Sequence, residues 1–171
     1  MPLTRAAREN EEDVMNDRST AQSWVRAWTA VLCLAVAWIH VQDQGGFPGD
    51  KTPGYVGVGY YLLEAAGILS AVVLASRSDL GERALVWVTA AGVAIGPLLG
   101  YVLSRGPGLP DYDDDRGNWT EPLGLVSIAV EVLLLVLASL RLRALMRGGA
   151  VAPHAMPASR TTVSASDSAA P

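Results

Sequence analysis

The sequence predicts an all-α protein, a bundle of four transmembrane helices with both termini in the cytoplasm. Half of its 171 residues are apolar and 18% are charged, whereas about a quarter of the residues in soluble domains are charged. The apolar residues form four runs, each close to the roughly 20 residues that a helix needs to cross a bilayer. Polar residues within the runs are isolated, whereas a helix of a soluble bundle carries a continuous polar stripe. These observations favour lipid as the solvent around the runs.

The four predicted spans are joined by short polar connections. They cover residues 24–41, 55–76, 84–104 and 119–142, which together define a membrane domain over 24–142. The first span is the shortest and contains Arg26 and His40. Because an acidic leader precedes it, in place of the short basic leader of a cleaved signal peptide, we expect it to remain as an anchor.

Both tails are predicted to be disordered and cytoplasmic. Residues 1–23 are polar and mixed in charge, and residues 143–171 end in a low-complexity stretch of Ala, Ser, Pro and Thr. Such compositions bury too little apolar surface to offset the entropy of ordering.

The distribution of basic residues predicts the orientation. Lys and Arg concentrate on the cytoplasmic side of membrane proteins. Ten of the 13 basic residues lie in the tails, the first helical turn and the second connection, and only Lys51, Arg105 and Arg116 lie in the other connections. Tryptophans favour the headgroup zones, and Trp87 is expected at the inner one. The first and third connections should therefore face outward.

Two carboxylates inside the spans are the strongest candidates for a functional site. Glu64 and Glu131 each lie near the middle of a predicted span, and ionisable residues at that depth usually face the bundle interior. We expect them to lie close together, with Tyr60 or Tyr61 in reach and His40 above them. Such a group of residues could relay protons or bind a cation or a small polar ligand. A neutral glutamate pair that only fixes the register of the helices explains the same pattern.

The third span carries a doubled G-x-x-x-G pattern. Gly92, Gly96 and Gly100 share one helix face, and small residues at this spacing let another backbone pack closely. Pro97 within the pattern removes one helical hydrogen bond and should kink the span. This face is the predicted helix-packing surface.

The sequence offers no evidence for catalysis, metals, cofactors or nucleic acid. A catalytic metal site generally needs three protein ligands, and only one histidine lies near the membrane. No P-loop, G-x-G-x-x-G or nucleophile elbow is present. The acidic loop at 111–115 fails the EF-hand spacing, although weak cation binding there stays open. The net charge of −4 gives no reason to expect nucleic-acid binding. We therefore expect no enzymatic activity, no cofactor and no bound metal.

The stretch from Gly96 to Gly124 resembles a pattern in small four-span membrane proteins of high-GC actinobacteria. The matching positions are a Gly-Leu-Pro loop at 108–110 and a Trp-x-Glu-Pro-Leu-Gly motif at 119–124. The resemblance implies a multi-pass protein of a bacterial inner membrane and adds no activity or site residue.

Two functions remain open at this stage. The favoured hypothesis is a non-enzymatic accessory or scaffold component of a membrane complex, in contact with lipid and with another membrane protein or a second copy of itself. The alternative is a small proton- or ion-coupled transporter or sensor that uses Glu64 and Glu131.

Overall fold

The computed structural model describes residues 5–76 and 79–149, which form four long α-helices packed together. The helices are α1 (Arg5–Asp43), α2 (Gly54–Ala75), α3 (Ala84–Arg105) and α4 (Pro122–Gly149), and a short 3-10 helix (Asp79–Glu82) joins α2 to α3. The predicted all-α four-helix bundle is confirmed.

Successive helices run in opposite directions around the bundle. Helix α1 packs against α2 and α4, α3 packs against the same two helices, and α1 also touches α3 across the centre. Helices α2 and α4 therefore occupy the wider diagonal. We call the end with connections 44–53 and 106–121 the loop end, and the end where α1 enters and α4 leaves the bundle the terminal end.

The outer surface of the bundle is apolar. Each helix contains a window long and apolar enough to cross a membrane, and less than half of each window is buried inside the bundle. Large residues such as Leu62, Leu69 and Leu85 are 68%, 66% and 74% exposed. Monomeric proteins in water rarely expose so extensive an apolar surface. We conclude that the chain is a four-span integral membrane protein.

Helices α1 and α4 extend beyond the predicted spans at the two ends of the membrane domain. Helix α1 already begins at Arg5, because residues 5–23 contain no Gly or Pro and extend a helix that the span has already nucleated, which avoids the nucleation cost. Helix α4 starts at Pro122, a residue suited to the first helical turn, and includes 143–149 of the predicted tail. The remainder of that tail, 150–171, lies outside the described residues.

Close approach of α1 to α2 depends on a glycine, Gly67, which has no side chain. A Cβ atom at Gly67 would lie 3.0 Å from the carbonyl oxygen of Cys33 and 3.5 Å from the Cβ of Ala37. Real Cβ contacts are almost never tighter. Small residues on the facing surfaces of these two helices therefore set their separation, as they do in many membrane bundles.

An ion-pair network closes the terminal end. Arg26 pairs with Glu82 (Nη1 to Oε1, 3.0 Å) and donates to the backbone carbonyls of Leu74 and Ser76, which are left without helical partners where α2 ends. Arg141 of α4 pairs with the other oxygen of Glu82. One carboxylate thus joins α1, α4 and the connection between α2 and α3. The pairing also explains why a charged residue, Arg26, lies within the first span.

Trp87 lies at the terminal end as expected, but it does not reach the lipid surface. It is fully buried, donates through Nε1 to the carbonyl of Gly81 (3.0 Å) and lies under the Arg141 guanidinium at 5.9 Å. The exposed aromatic rings of this end are Trp24 and Trp28.

We predict that Gly67→Val lowers the free energy of unfolding by about 2 kcal/mol, because the added side chain overpacks the contact with Cys33. The measurement is unfolding of the purified protein by increasing denaturing detergent. Gly59→Val is the matched control on the same helix, because a Cβ at Gly59 meets no atom within 4 Å. Equal losses in the two variants would contradict a role for close packing.

We also predict that Glu82→Ala lowers the free energy of unfolding by about 2 kcal/mol, because Arg26 and Arg141 both lose a charged acceptor. Asp79→Ala, an exposed position of the same 3-10 helix, should change it by less than about 0.5 kcal/mol. The network would have no structural importance if the two variants unfolded alike.

Candidate functional site

A cavity of about 380 Å³ opens within the loop end of the bundle. All four helices contribute to it: the end of α1, the start of α2, the end of α3 and the start of α4. Connection 106–121 also contributes Leu109, Tyr112 and Asp115. Its wall combines apolar side chains with four tyrosines, which is typical of a small-molecule site.

Glu131 and His40 are two buried polar residues of the wall that face each other. Glu131 is 1% exposed and accepts a hydrogen bond from Ser127 at its Oε1 atom. His40 Nε2 lies 3.9 Å from the same oxygen, too far for a direct hydrogen bond. The other carboxylate oxygen of Glu131, Oε2, is buried without a hydrogen-bond partner among the described residues. This oxygen is an acceptor without a donor on a residue that lines the cavity.

The hydrogen bonding of His40 fixes which ring nitrogen carries its proton. Nδ1 lies 2.9 Å from the carbonyl oxygen of Val36, and a carbonyl only accepts, so Nδ1 carries hydrogen. In the neutral ring Nε2 is then an acceptor that faces Glu131. Tyr60 packs edge-on against the ring at 5.2 Å and donates its hydroxyl to Asp43.

The structure brings together His40, Tyr60 and Glu131 of the predicted site but separates Glu64 and Tyr61 from them. Glu64 lies outside the cavity wall and accepts from the buried Gln44 amide at 2.6 Å. The two glutamates do not form the expected pair, because their helices lie on the wider diagonal of the bundle. Tyr61 instead receives a hydrogen bond from the Gly49 amide (2.8 Å) and organises connection 44–53.

The glycine ladder on α3 does not pack against the other helices. A Cβ at Gly92, Gly96 or Gly100 would meet nothing within 4 Å. Gly96, Pro97 and Gly100 instead line the cavity, and Gly92 is exposed away from it. Helix α3 continues through Pro97 to Arg105.

Arg105 is a central residue of the site that sequence reasoning assigned to a solvated loop. It is 7% exposed and donates to the Asn118 carbonyl (2.9 Å) and the Glu121 carboxylate. Its guanidinium also lies 4.0 Å from the centre of the Tyr101 ring. Arg105 thereby folds connection 106–121 over the cavity. The only signal available in the sequence was the Tyr101–Arg105 spacing of four, which places a ring and a cation on one helix face.

The acidic loop at 111–115 is used for pairing within the protein. Asp113 lies 3.6 Å from Arg116, and Asp115 lies 3.6 Å from Arg105 and accepts from Tyr112. No group of three or more His, Cys, Asp or Glu suited to a metal ion occurs within residues 5–76 and 79–149.

Lys51 links the two connections of the loop end above the cavity. Its ammonium lies 3.3 Å from Asp43 and 3.4 Å from the Tyr112 hydroxyl. Burial lowers the pKa of Lys51, but Asp43 and Tyr112 outweigh that effect and hold the pKa above its ordinary value of 10.5. Burial and the hydrogen bond to Asp115 raise the pKa of Tyr112 above 10.0, against the opposing charge of Lys51.

No protein-family model, curated protein or solved structure matches this chain at a significant level. The likeness to small four-span proteins is therefore supported only at the level of four long apolar helices.

We predict that the free energy of unfolding falls as the pH rises above about 10. A raised Lys pKa gives stability that is complete below the unfolded value and is lost as the pH rises through the folded one. A raised Tyr pKa acts in the same direction, because the unfolded phenol ionises first. Tyr112→Phe removes the phenol and the hydrogen-bond partner of Lys51. Between pH 9 and pH 11.5 the free energy of unfolding of this variant should therefore fall by about 1 kcal/mol less than that of the wild type. Parallel curves for the variant and the wild type would refute this assignment.

Proposed function

We propose that this protein is a small membrane sensor that binds a small molecule in the cavity at its loop end, from the outer side of the membrane. The observation that carries the proposal is the buried Oε2 atom of Glu131, a cavity-lining residue, to which no group in the described part of the chain donates a hydrogen bond. Leaving a buried carboxylate oxygen without a donor costs free energy, and a ligand would recover that cost. The proposal retains the sensor part of the sequence hypothesis.

The polar groups of the cavity favour binding over transport. A series of polar side chains leads inward from the loop end, in the order Asp43, Tyr60, His40 and Glu131. Beyond Glu131 the interior is filled by apolar side chains of the core, including Leu134 and Ala138, both fully buried. The Glu82 network then closes the terminal end. A path for ions or protons across the bilayer would need polar groups or water through this core.

The orientation of the cavity comes from the distribution of basic residues. Ten of the 13 lie in the tails, the first turn of the span and the second connection, which favours a cytoplasmic terminal end. The loop end, with the cavity, would then face the periplasm or the exterior. The resemblance to actinobacterial four-span proteins is consistent with a bacterial inner membrane.

A second candidate function, the accessory or scaffold role, has its own supporting observation. The ladder of Gly92, Gly96 and Gly100 leaves open space where each Cβ would lie, so a transmembrane helix of a partner or of a second copy could approach there. Gly96 and Gly100 also line the cavity, so Gly92, which lies off it, is the position of the ladder that separates the two functions.

The proposed function predicts saturable binding of a small probe at the loop end. The protein is placed in phosphatidylcholine nanodiscs and its thermal unfolding is followed with increasing hexylamine, hexanol or hexanoate. At least one probe should raise the Tm of the wild type to a plateau. Gly100→Leu places a side chain in the cavity and should abolish the effect, because the volume is no longer free.

Gly92→Leu is the matched control for that experiment, since it adds the same side chain to the same helix outside the cavity. It should leave probe binding unchanged. If no probe gives a saturable shift, or if both leucine variants respond as the wild type does, the protein does not bind ligands in this cavity. A change in complex size caused by Gly92→Leu alone would support the scaffold role.

A further inference from the structure

We infer that the cavity at the loop end takes a protonated amine with an apolar body, whose N–H groups bind the free oxygen of Glu131. The inference rests on the proposed function and names the chemical class of its ligand.

The hydroxyl groups of the cavity wall have no hydrogen left to offer a ligand. Each is already donated to an oxygen of the protein: Tyr55 to Pro110, Tyr60 to Asp43, Tyr101 to Trp119, Ser104 to Tyr101, Tyr112 to Asp115 and Ser127 to Glu131. Arg105 is engaged by Asn118, Glu121 and Ser104. A carboxylate or a phosphate needs hydrogen-bond donors from the protein, and these side chains already donate to other groups. Such a ligand would therefore bind weakly here.

Acceptors, in contrast, are in excess. Within residues 5–76 and 79–149 nothing donates to Glu131 Oε2, and in the neutral ring Nε2 of His40 presents a second lone pair 3.9 Å from the other oxygen of that carboxylate. An ammonium group supplies up to three donors and no acceptor. It therefore matches the deep end of the cavity in hydrogen bonding, whereas an alcohol supplies only one donor and no charge.

The charges of the wall point to the same ligand class. Four of the described lining residues carry carboxyl groups (Asp43, Asp115, Glu121 and Glu131), against two cations, the Arg105 guanidinium in the wall and the Lys51 ammonium 3.3 Å from Asp43. Four tyrosine rings, those of Tyr55, Tyr60, Tyr101 and Tyr112, add surfaces that attract cations. The excess of negative groups would draw a cation into the cavity and repel an anion.

The remaining wall requires the ligand to carry an apolar part. Apolar side chains from three helices and the third connection line the volume: Ile39, Val56, Leu63, Leu109 and Leu123. A volume of about 380 Å³ accommodates a short alkyl or arylalkyl chain in addition to the amine. A free amine or the headgroup of an aminophospholipid could supply this chemistry.

The test compares three probes of equal length in nanodiscs of phosphatidylcholine, a lipid that has no primary amine. Hexylamine should stabilise the wild type with an apparent Kd at least about tenfold lower than that of hexanol, because charge-assisted hydrogen bonds are the stronger ones. Hexanoate should bind most weakly. This comparison needs no variant, so it holds even where a substitution impairs folding.

Two substitutions then locate the amine. Glu131→Gln should weaken hexylamine at least about tenfold and leave hexanol nearly unchanged, because the amide lacks the charge. Glu64→Gln is the matched control, as Glu64 is a buried carboxylate of the same bundle that lies off the cavity. It should leave the preference for hexylamine intact.

The inference fails if hexanol or hexanoate binds as well as hexylamine, or if Glu131→Gln keeps the preference for the amine. In either case a saturable effect that Gly100→Leu removes would still support the proposed function. Absence of any such effect would refute both. The inference also fails if hexylamine stabilises Gly100→Leu as strongly as the wild type, since it would then act at the surface.

A further arm distinguishes the two sources of the amine. Phosphatidylethanolamine is added to the nanodiscs in increasing proportion while hexylamine is titrated. A rising apparent Kd for hexylamine, seen in the wild type and absent in Glu131→Gln, assigns the cavity to the lipid headgroup. A constant Kd assigns it to a free amine.

Discussion

A hydrocarbon solvent supplies no hydrogen bonds, so each polar side chain within these helices needs a partner inside the bundle. At the terminal end Arg26 and Arg141 share the Glu82 carboxylate. At the opposite end Arg105 joins connection 106–121 to α3. The two networks hold the helix ends together, and between them the bundle is apolar toward the terminal end and polar around the cavity. Glu131 is an exception, because no described residue donates a hydrogen bond to its Oε2 atom.

The division of the interior explains why the cavity lies where it does. Small residues at Gly67 and its surroundings bring α1 and α2 together, and large core side chains such as Leu134 and Trp87 fill the terminal half. In the loop half, Gly96 and Gly100 line the cavity without side chains of their own, and the four helices leave a volume between them. The glycines that the sequence marks for helix packing thus create space in this chain.

The parts of the fold that depend on local periodicity were predictable. Run lengths predicted four long apolar helices, and four lie within the described residues, although α1 already begins at Arg5 and α4 continues to Gly149. The pairing of residues across the bundle was not predictable, because Arg105 meets partners 13 and 16 positions away, and Gln44 meets Glu64 across a turn. The expectation that Glu64 lies beside Glu131 rested only on the similar depth of the two residues within their spans. Which helices are diagonal is decided by three-dimensional packing, and periodicity contains no information about it.

The contact beneath Gly67 has a practical consequence for spectroscopy. Cys33 is the only cysteine of the chain, and its side chain is fully buried at that helix crossing. Reagents in water or at the lipid surface cannot reach its sulfur while the bundle is folded. A spin label or fluorophore attached to a second cysteine, introduced at an exposed position, would therefore report from one site only, with the native residue left in place.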